Sequence, residues 1–323
     1  MAKALIAARA ETSLDPWPDA DASLSDRRPA KGAFDRIRAA AARYVQLSKP
    51  GIVFGNLVST TGGFLLAARG SLNPPLLLAT LAGVSLVVAS GCAFNNVIDR
   101  DIDAAMKRTR GRALARGAVL PGAALVYAVL LAVAGFVVLA NAVSGLAVAL
   151  AAAGFAVYVG VYSLCLKRRS PLSTIVGSLS GATPPVIGYC AASGRLDAGA
   201  LLLLLIFCLW QMPHSYAIGI LYRDDYAAAG VPILPVRCGV ATAKRRILAY
   251  IVAFVLAATG LTLAGYAGYA FLAASLAMGG WWLHIGLAGW RTSDDRAWAR
   301  RMFSFSIVVI TTLSLMMGCG YRL

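Results

Sequence analysis

From residue 51 onward, long apolar runs alternate with short polar connectors. A helix that crosses the hydrocarbon core of a bilayer needs about 20 apolar residues. The runs predict such helices at roughly 51–69, 76–97, 118–139, 142–163, 173–192, 198–220, 247–265, 268–289 and 303–321. The pairs 118–139/142–163 and 247–265/268–289 are joined by very short connectors, as helical hairpins are. Residues 1–43 are polar and rich in Ala, Asp, Arg and Pro, without the apolar core of a secretory signal. They predict a disordered cytoplasmic tail with a short amphipathic helix near Phe34–Tyr44, followed by a membrane domain over 44–323. The expected fold is an all-α integral membrane bundle of about nine helices.

Composition agrees with that pattern. Hydrophobic residues make up 59% of the chain and charged residues 14%, against roughly 45–50% and 25% in soluble domains. The formal net charge of +16 would point to nucleic acid in a soluble chain. Here the charge sits between apolar runs rather than along one face, so no nucleic-acid partner is expected. Of the 30 Lys and Arg, 27 fall in the tail and the connectors after helices two, four, six and eight. The excess of Lys and Arg in cytoplasmic loops places those segments and the N-terminus in the cytoplasm. The six cysteines are scattered with no CxxC pair, so neither a disulfide framework nor a zinc site is expected.

The acids are the sharpest chemical signal. Seven of the 14 lie in three even-numbered connectors. The first cluster contains Asn95, Asp99 and Asp103 at i, i+4 and i+8, a spacing that stacks them on one helix face. Carboxylates one turn apart repel unless a cation lies between them. Oxygen-only ligands suit a hard ion such as Mg²⁺, which bridges to substrate phosphates. Lys107, Arg108 and Arg112 follow at once and complement a diphosphate. The bland alternative is a solvated loop whose acids pair with neighbouring arginines. A second cluster, Asp224-Asp225-Tyr226, falls on the same side and would allow a two-metal clamp, though alone it reads equally as an ordinary loop. Asp294 and Asp295 lie among arginines and read as loop ion pairs.

Two further segments carry polar groups. His214 follows Pro213 near the cytoplasmic end of helix six, where a polar side chain serves either a substrate pocket or a structural hydrogen bond. Lys167, Arg168 and Arg169 follow helix four and either bind an anion or only obey the charge bias of membrane loops. His284, beside Trp281 and Trp282, reads as an interfacial residue.

The string Asn95 to Arg112 resembles the NxxxDxxxD motif of the UbiA superfamily of intramembrane prenyltransferases. In its longer form, NNxxDxxxDxxMxRTxxR, it is similar to the branch that acts on heme. Further matches are Leu47-Ser-Lys49-Pro50 with Asn56, Tyr162 through Arg168, Gly181 through Pro185, Trp210-Gln211-Met-Pro213-His214, and Asp225-Tyr226 through Pro235. The resemblance covers roughly residues 45–320. It implies a UbiA-type bundle in the cell inner membrane, with Mg²⁺ on Asn95, Asp99, Asp103 and Asp224 or Asp225. Lys107, Arg108, Arg112, Lys167, Arg168, Gln211, His214 and Tyr226 would bind substrate. It also implies farnesyl diphosphate and heme B as substrates, and a product that passes to heme–copper terminal oxidase assembly. Many members show DxxxD as the second motif where this chain has Asp224-Asp225-Tyr226, which leaves the number of ions open. The rival readings are a related enzyme acting on an aromatic acid in quinone synthesis, and a transporter.

Overall fold

The computed structural model describes residues 33–319; the predicted tail up to residue 32 and the outer Arg322 lie outside the described residues. The first helix, α1 (Ala33–Leu47), coincides with the predicted amphipathic segment. Its first turns belong to a separate unit ending at Ala42, in which Phe34 and Ile37 are exposed. From Arg43 onward the chain forms one unit.

That unit contains α2 (Pro50–Ala68), α3 (Pro74–Ile98), the short α4 (Arg100–Ala105), α5 (Pro121–Ala142), α6 (Gly145–Leu166), α7 (Ser173–Ser193) and α8 (Ala198–Leu221). The short α9 (Arg223–Ala228) and α10 (Leu234–Arg237) follow, then α11 (Val240–Leu263), α12 (Tyr269–Ala288) and α13 (Asp295–Met316). Among the described residues there is no strand, and nine helices are long. Eight of the nine are long and apolar enough to cross a membrane. The ninth, α7, is richer in Ser, Thr and Pro, which its place between neighbours explains: it packs against α2, α3, α6 and α8.

Starts follow local chemistry. Proline occupies the first turn of α2, α3 and α5, where its missing N–H loses no helical bond. The side chains of Asn73, Ser144 and Asp197 accept from backbone N–H groups that open α3, α6 and α8. Two predicted boundaries need correction. α11 begins at Val240, not near 247, and α13 at Asp295, not near 303. The apolar pattern stopped at Lys244–Arg246 and at Arg300–Arg301, but those side chains ride on the first turns of the helices. Buried Lys244 donates to the Gly289 carbonyl and pairs with Asp295, and Asp294 caps α13 by accepting from Ala297 N. The third acid pair therefore holds helix ends together.

α2 and α7 cross at backbone contact. A Cβ on Gly63 would lie 2.0 Å from the Pro185 carbonyl oxygen, and one on Gly188 would lie 2.1 Å from that of Thr60. In a bilayer, where no water is released between helices, such close van der Waals packing supplies much of the association energy. Phe64, Phe207, Phe254, Phe271 and Trp282 fill the interior, while Leu78, Leu130, Leu256 and Leu263 point outward, as a lipid-facing surface requires. The second half of α6, Ala156–Leu166, is a π-helix, closed by Lys167 N donating to Tyr162 O at 2.9 Å. Such wide turns occur often at functional sites. The four connectors with most of the basic residues meet on one face: Arg168 pairs with Asp101, Arg108 N donates to Asp225, and Arg296 pairs with Asp224.

Candidate active site

Asn95, Asp99 and Asp103 of the first acid cluster are buried rather than solvated, while Asp101 is exposed and pairs with Arg168. Asn95 is 4%, Asp99 1% and Asp103 5% exposed. α3 ends at Ile98, and Asp99 forms a junction (φ −92°, ψ 11°) before the short helix α4 resumes. The near-continuous helix keeps Asn95 and Asp99 on one face: Asn95 Nδ2 donates to Asp99 Oδ2 at 2.6 Å and to Ser163 Oγ at 3.2 Å. α6 brings Lys167 from the opposite side to pair with Asp99 Oδ2. Both oxygens of Asp103 accept from Arg112 Nη1, at 2.9 and 2.8 Å. Burial opposes the charge of Lys167, yet Tyr162 and Asp99 beside it hold its pKa above the ordinary lysine value.

Lys49, just before α2, enters the sequence reading as one of the tail's basic residues and as part of a family match, with no site role. Its Nζ donates to Asn95 Oδ1 at 2.7 Å. Burial, together with the charges of Arg112 and Lys167, pushes its pKa down to about 8. Its signal in the sequence was the Lys-Pro step directly before a spanning helix. Asn96, the second Asn of the motif, donates to the Leu47 and Cys92 carbonyls at 2.8 and 3.0 Å and so pins the link before α2 to α3.

The other expected residues divide. Asp225 is brought in, accepting from Arg108 N at 3.1 Å, and the Arg108 guanidinium lies over the Tyr222 ring. Tyr226 packs beside Ile102, Met106 and Val231, joining the two acid clusters. Asp224 is not brought in: its exposed side chain pairs with Arg296 at 3.4 Å. Arg168 is committed elsewhere, gripping Asp101 with two bonds of 2.6 Å and the Ile98 carbonyl at 2.8 Å, and it holds the Asp101 carboxyl at about 2. Lys107 is exposed. Gln211 Nε2 donates to the Ser178 and Phe207 carbonyls, a tie between α8 and α7. His214 Nδ1 bonds Ser306 Oγ at 2.7 Å, and its ring lies between Trp210 and Phe303, each 4.9 Å away. Ser306 spends its hydroxyl hydrogen on the Phe303 carbonyl, so Nδ1 is the donor and Nε2 carries the lone pair.

The expected ligand set of Asn95, Asp99, Asp103, Asp224 and Asp225 does not converge on one point. Among the described residues, no three His, Cys, Asp or Glu side chains lie close enough to hold a metal by themselves. Each carboxylate here has its own cationic or amide partner. The residues nevertheless fit a hard cation. Asp99 Oδ1 is buried with no hydrogen-bond donor, and a buried carboxylate oxygen left bare is costly unless a cation reaches it.

One turn deeper on α3, Cys92 and Gly91 begin an apolar cavity of about 220 Å³. Its walls include Asn56, Tyr158 and Thr183, and its far end is Val84, Ala151 and Ile187. The buried charged cluster thus sits one helical turn from an apolar cavity.

The family model described as the UbiA prenyltransferase family matches residues 56–308. The chain belongs to this family. A protein of Serratia proteamaculans named protoheme IX farnesyltransferase is 58% identical over 279 residues, covering 86% of this chain and 94% of its own. One of Photorhabdus laumondii with the same name is 57% identical over 276 residues, covering 85% and 94%. Among solved structures, the fold is similar to that of a digeranylgeranylglyceryl phosphate synthase (TM-score 0.71, 15% identity, 87% of this chain and 98% of that one). It is also similar to a UbiA homolog from Archaeoglobus fulgidus bound to GPP and Mg²⁺ (TM-score 0.63, 13% identity, 85% and 99%).

Proposed function

We propose that this chain transfers the farnesyl group of farnesyl diphosphate to a vinyl carbon of heme B, with addition of water, giving heme O and diphosphate. The observation that carries the chemistry is the buried Asn95–Asp99–Asp103 array, faced by Lys49, Lys167 and Arg112, one helical turn from an apolar cavity. The choice of acceptor is supported by the likeness to the Serratia protein.

Asp99, Asp103, Asn95 and Asp225 would hold Mg²⁺, which neutralises diphosphate charge and makes it a better leaving group. Lys167 and Arg112 already lie against Asp99 and Asp103, so they meet the charge that develops on the diphosphate as the C1–oxygen bond breaks and the electron pair leaves with it. The cavity takes the isoprenoid and keeps water from C1. The vinyl carbon then bonds C1, water adds to the adjacent carbon, and a proton is released. His214, with an unprotonated Nε2, is a heme-side ligand or acceptor.

The site faces the cytoplasm, as the distribution of Lys and Arg supports. Single cysteines near Ser71 and Ser193, in a background without native cysteines, should react with impermeant reagents from outside. The activity test is purified protein with farnesyl diphosphate, Mg²⁺ and either heme B or 4-hydroxybenzoate, read by mass spectrometry. Heme O is the expected product. A prenylated benzoate without heme O would replace the proposal with the quinone-branch reading.

A further inference from the structure

Lys49 sits in the left-handed region (φ 48°, ψ 70°), which side chains other than glycine occupy at a penalty. Such strain persists when surrounding contacts over-determine it, and it concentrates at functional sites. Here the contacts are explicit. Asn96 Nδ2 holds the Leu47 carbonyl, Ser48 Oγ bonds Tyr127 OH at 2.8 Å, and Pro50 directly opens α2. The result is a lysine on a fixed backbone with its ammonium on Asn95.

The cations of the site are not equally partnered. Lys167 neutralises Asp99 and Arg112 neutralises Asp103, but Lys49 has only the neutral amide oxygen of Asn95. Lys49 is half-buried, and a cation partly removed from water without an anion is unfavourable unless a ligand completes it. The bare Asp99 Oδ1 asks for a cation and Lys49 asks for an anion, and both side chains meet at Asn95.

We infer that Lys49 is a substrate-binding residue that guards Asn95 until substrate arrives, then transfers its hydrogen bonds to a diphosphate oxygen and frees Asn95 Oδ1 for the metal. The inference rests on the prenyl-transfer reading of this site. No bond other than hydrogen bonds changes, and the lysine stem pivots on a backbone that does not move.

The test uses the purified full chain with a non-hydrolysable farnesyl diphosphate analogue and Mg²⁺. Lys49→Met keeps the stem and removes the charge. It should weaken analogue binding and raise KM for farnesyl diphosphate about ten- to hundredfold, the loss of one charge-assisted hydrogen bond. KM for heme B should stay within twofold. Lys49→Arg should restore part of the affinity. Lys49→Gly removes the side chain and relaxes the backbone, so its melting temperature should equal or exceed that of the wild type while analogue binding falls. Analogue affinity of Lys49→Met within twofold of wild type, or a melting temperature of Lys49→Gly well below wild type with affinity retained, overturns the inference. Failure of the acceptor reading is separate: wild-type protein would make no heme O, while its analogue binding would still depend on Lys49.

Discussion

Asp99→Asn tests the central charge arrangement. The change is isosteric, so shape and the bond from Asn95 Nδ2 survive. What goes is the counterion of Lys167, whose ammonium pairs with Asp99 in a setting where the carboxylate is 1% exposed. Removing one partner of a buried pair costs about 3–5 kcal/mol because the other charge is left uncompensated. Lys167 keeps 16% of its side chain exposed and can turn partly toward solvent, which puts the expected loss near ~3 kcal/mol, the low end of that range. The double variant Asp99→Asn with Lys167→Met removes both charges and should recover most of that stability, a coupling read directly by a double-mutant cycle. Activity should behave differently. Both variants lack the bare carboxylate oxygen that fits the cation, so heme O formation should fall at least ~1000-fold in each, about 4 kcal/mol in barrier. The assays are thermal melting in detergent and heme O formation by mass spectrometry on the same preparations. Recovery of activity in the double variant, or single-variant turnover within tenfold of wild type, would refute the assignment of Asp99 to the reacting site. A double variant no more stable than Asp99→Asn would refute the charge-pair account.

Gly188→Ala places a methyl 2.1 Å from the Thr60 carbonyl oxygen; because backbone cannot step aside, destabilisation of about 3 kcal/mol or more is expected by thermal melting, and unchanged stability would show that α2 and α7 can separate freely. Ala151→Phe fills the far end of the cavity, so KM for farnesyl diphosphate should rise while the affinity for inorganic diphosphate holds; equal loss of both would mean that the cavity is not the isoprenoid's place. His214→Ala is expected to retain binding of the diphosphate analogue and lose heme O formation, whereas full heme O output with a lowered melting temperature would reduce His214 to a tie to Ser306.

Much of this architecture is written in local pattern. Apolar run length places the spanning helices, because a bilayer permits little else, and the i, i+4 spacing of Asn95 and Asp99 predicts the shared face that their hydrogen bond shows. The pattern misplaced the starts of α11 and α13 because hydropathy counts Lys244 and Arg300 as loop, while a helix carries its polar ends beyond the apolar run. Partner choice lies beyond any local pattern. Arg168 and Lys167 are adjacent in sequence, yet one grips exposed Asp101 and the other reaches buried Asp99, since they leave the π-helical end of α6 in different directions. Asp224 and Asp225 are likewise adjacent, and only Asp225 meets the first cluster. Lys49 reaches Asn95 across 46 positions of chain. Spacing along one helix fixes which side chains share a face, but which cation neutralises which acid is set by how separate helices pack, and that is a property of the tertiary structure alone.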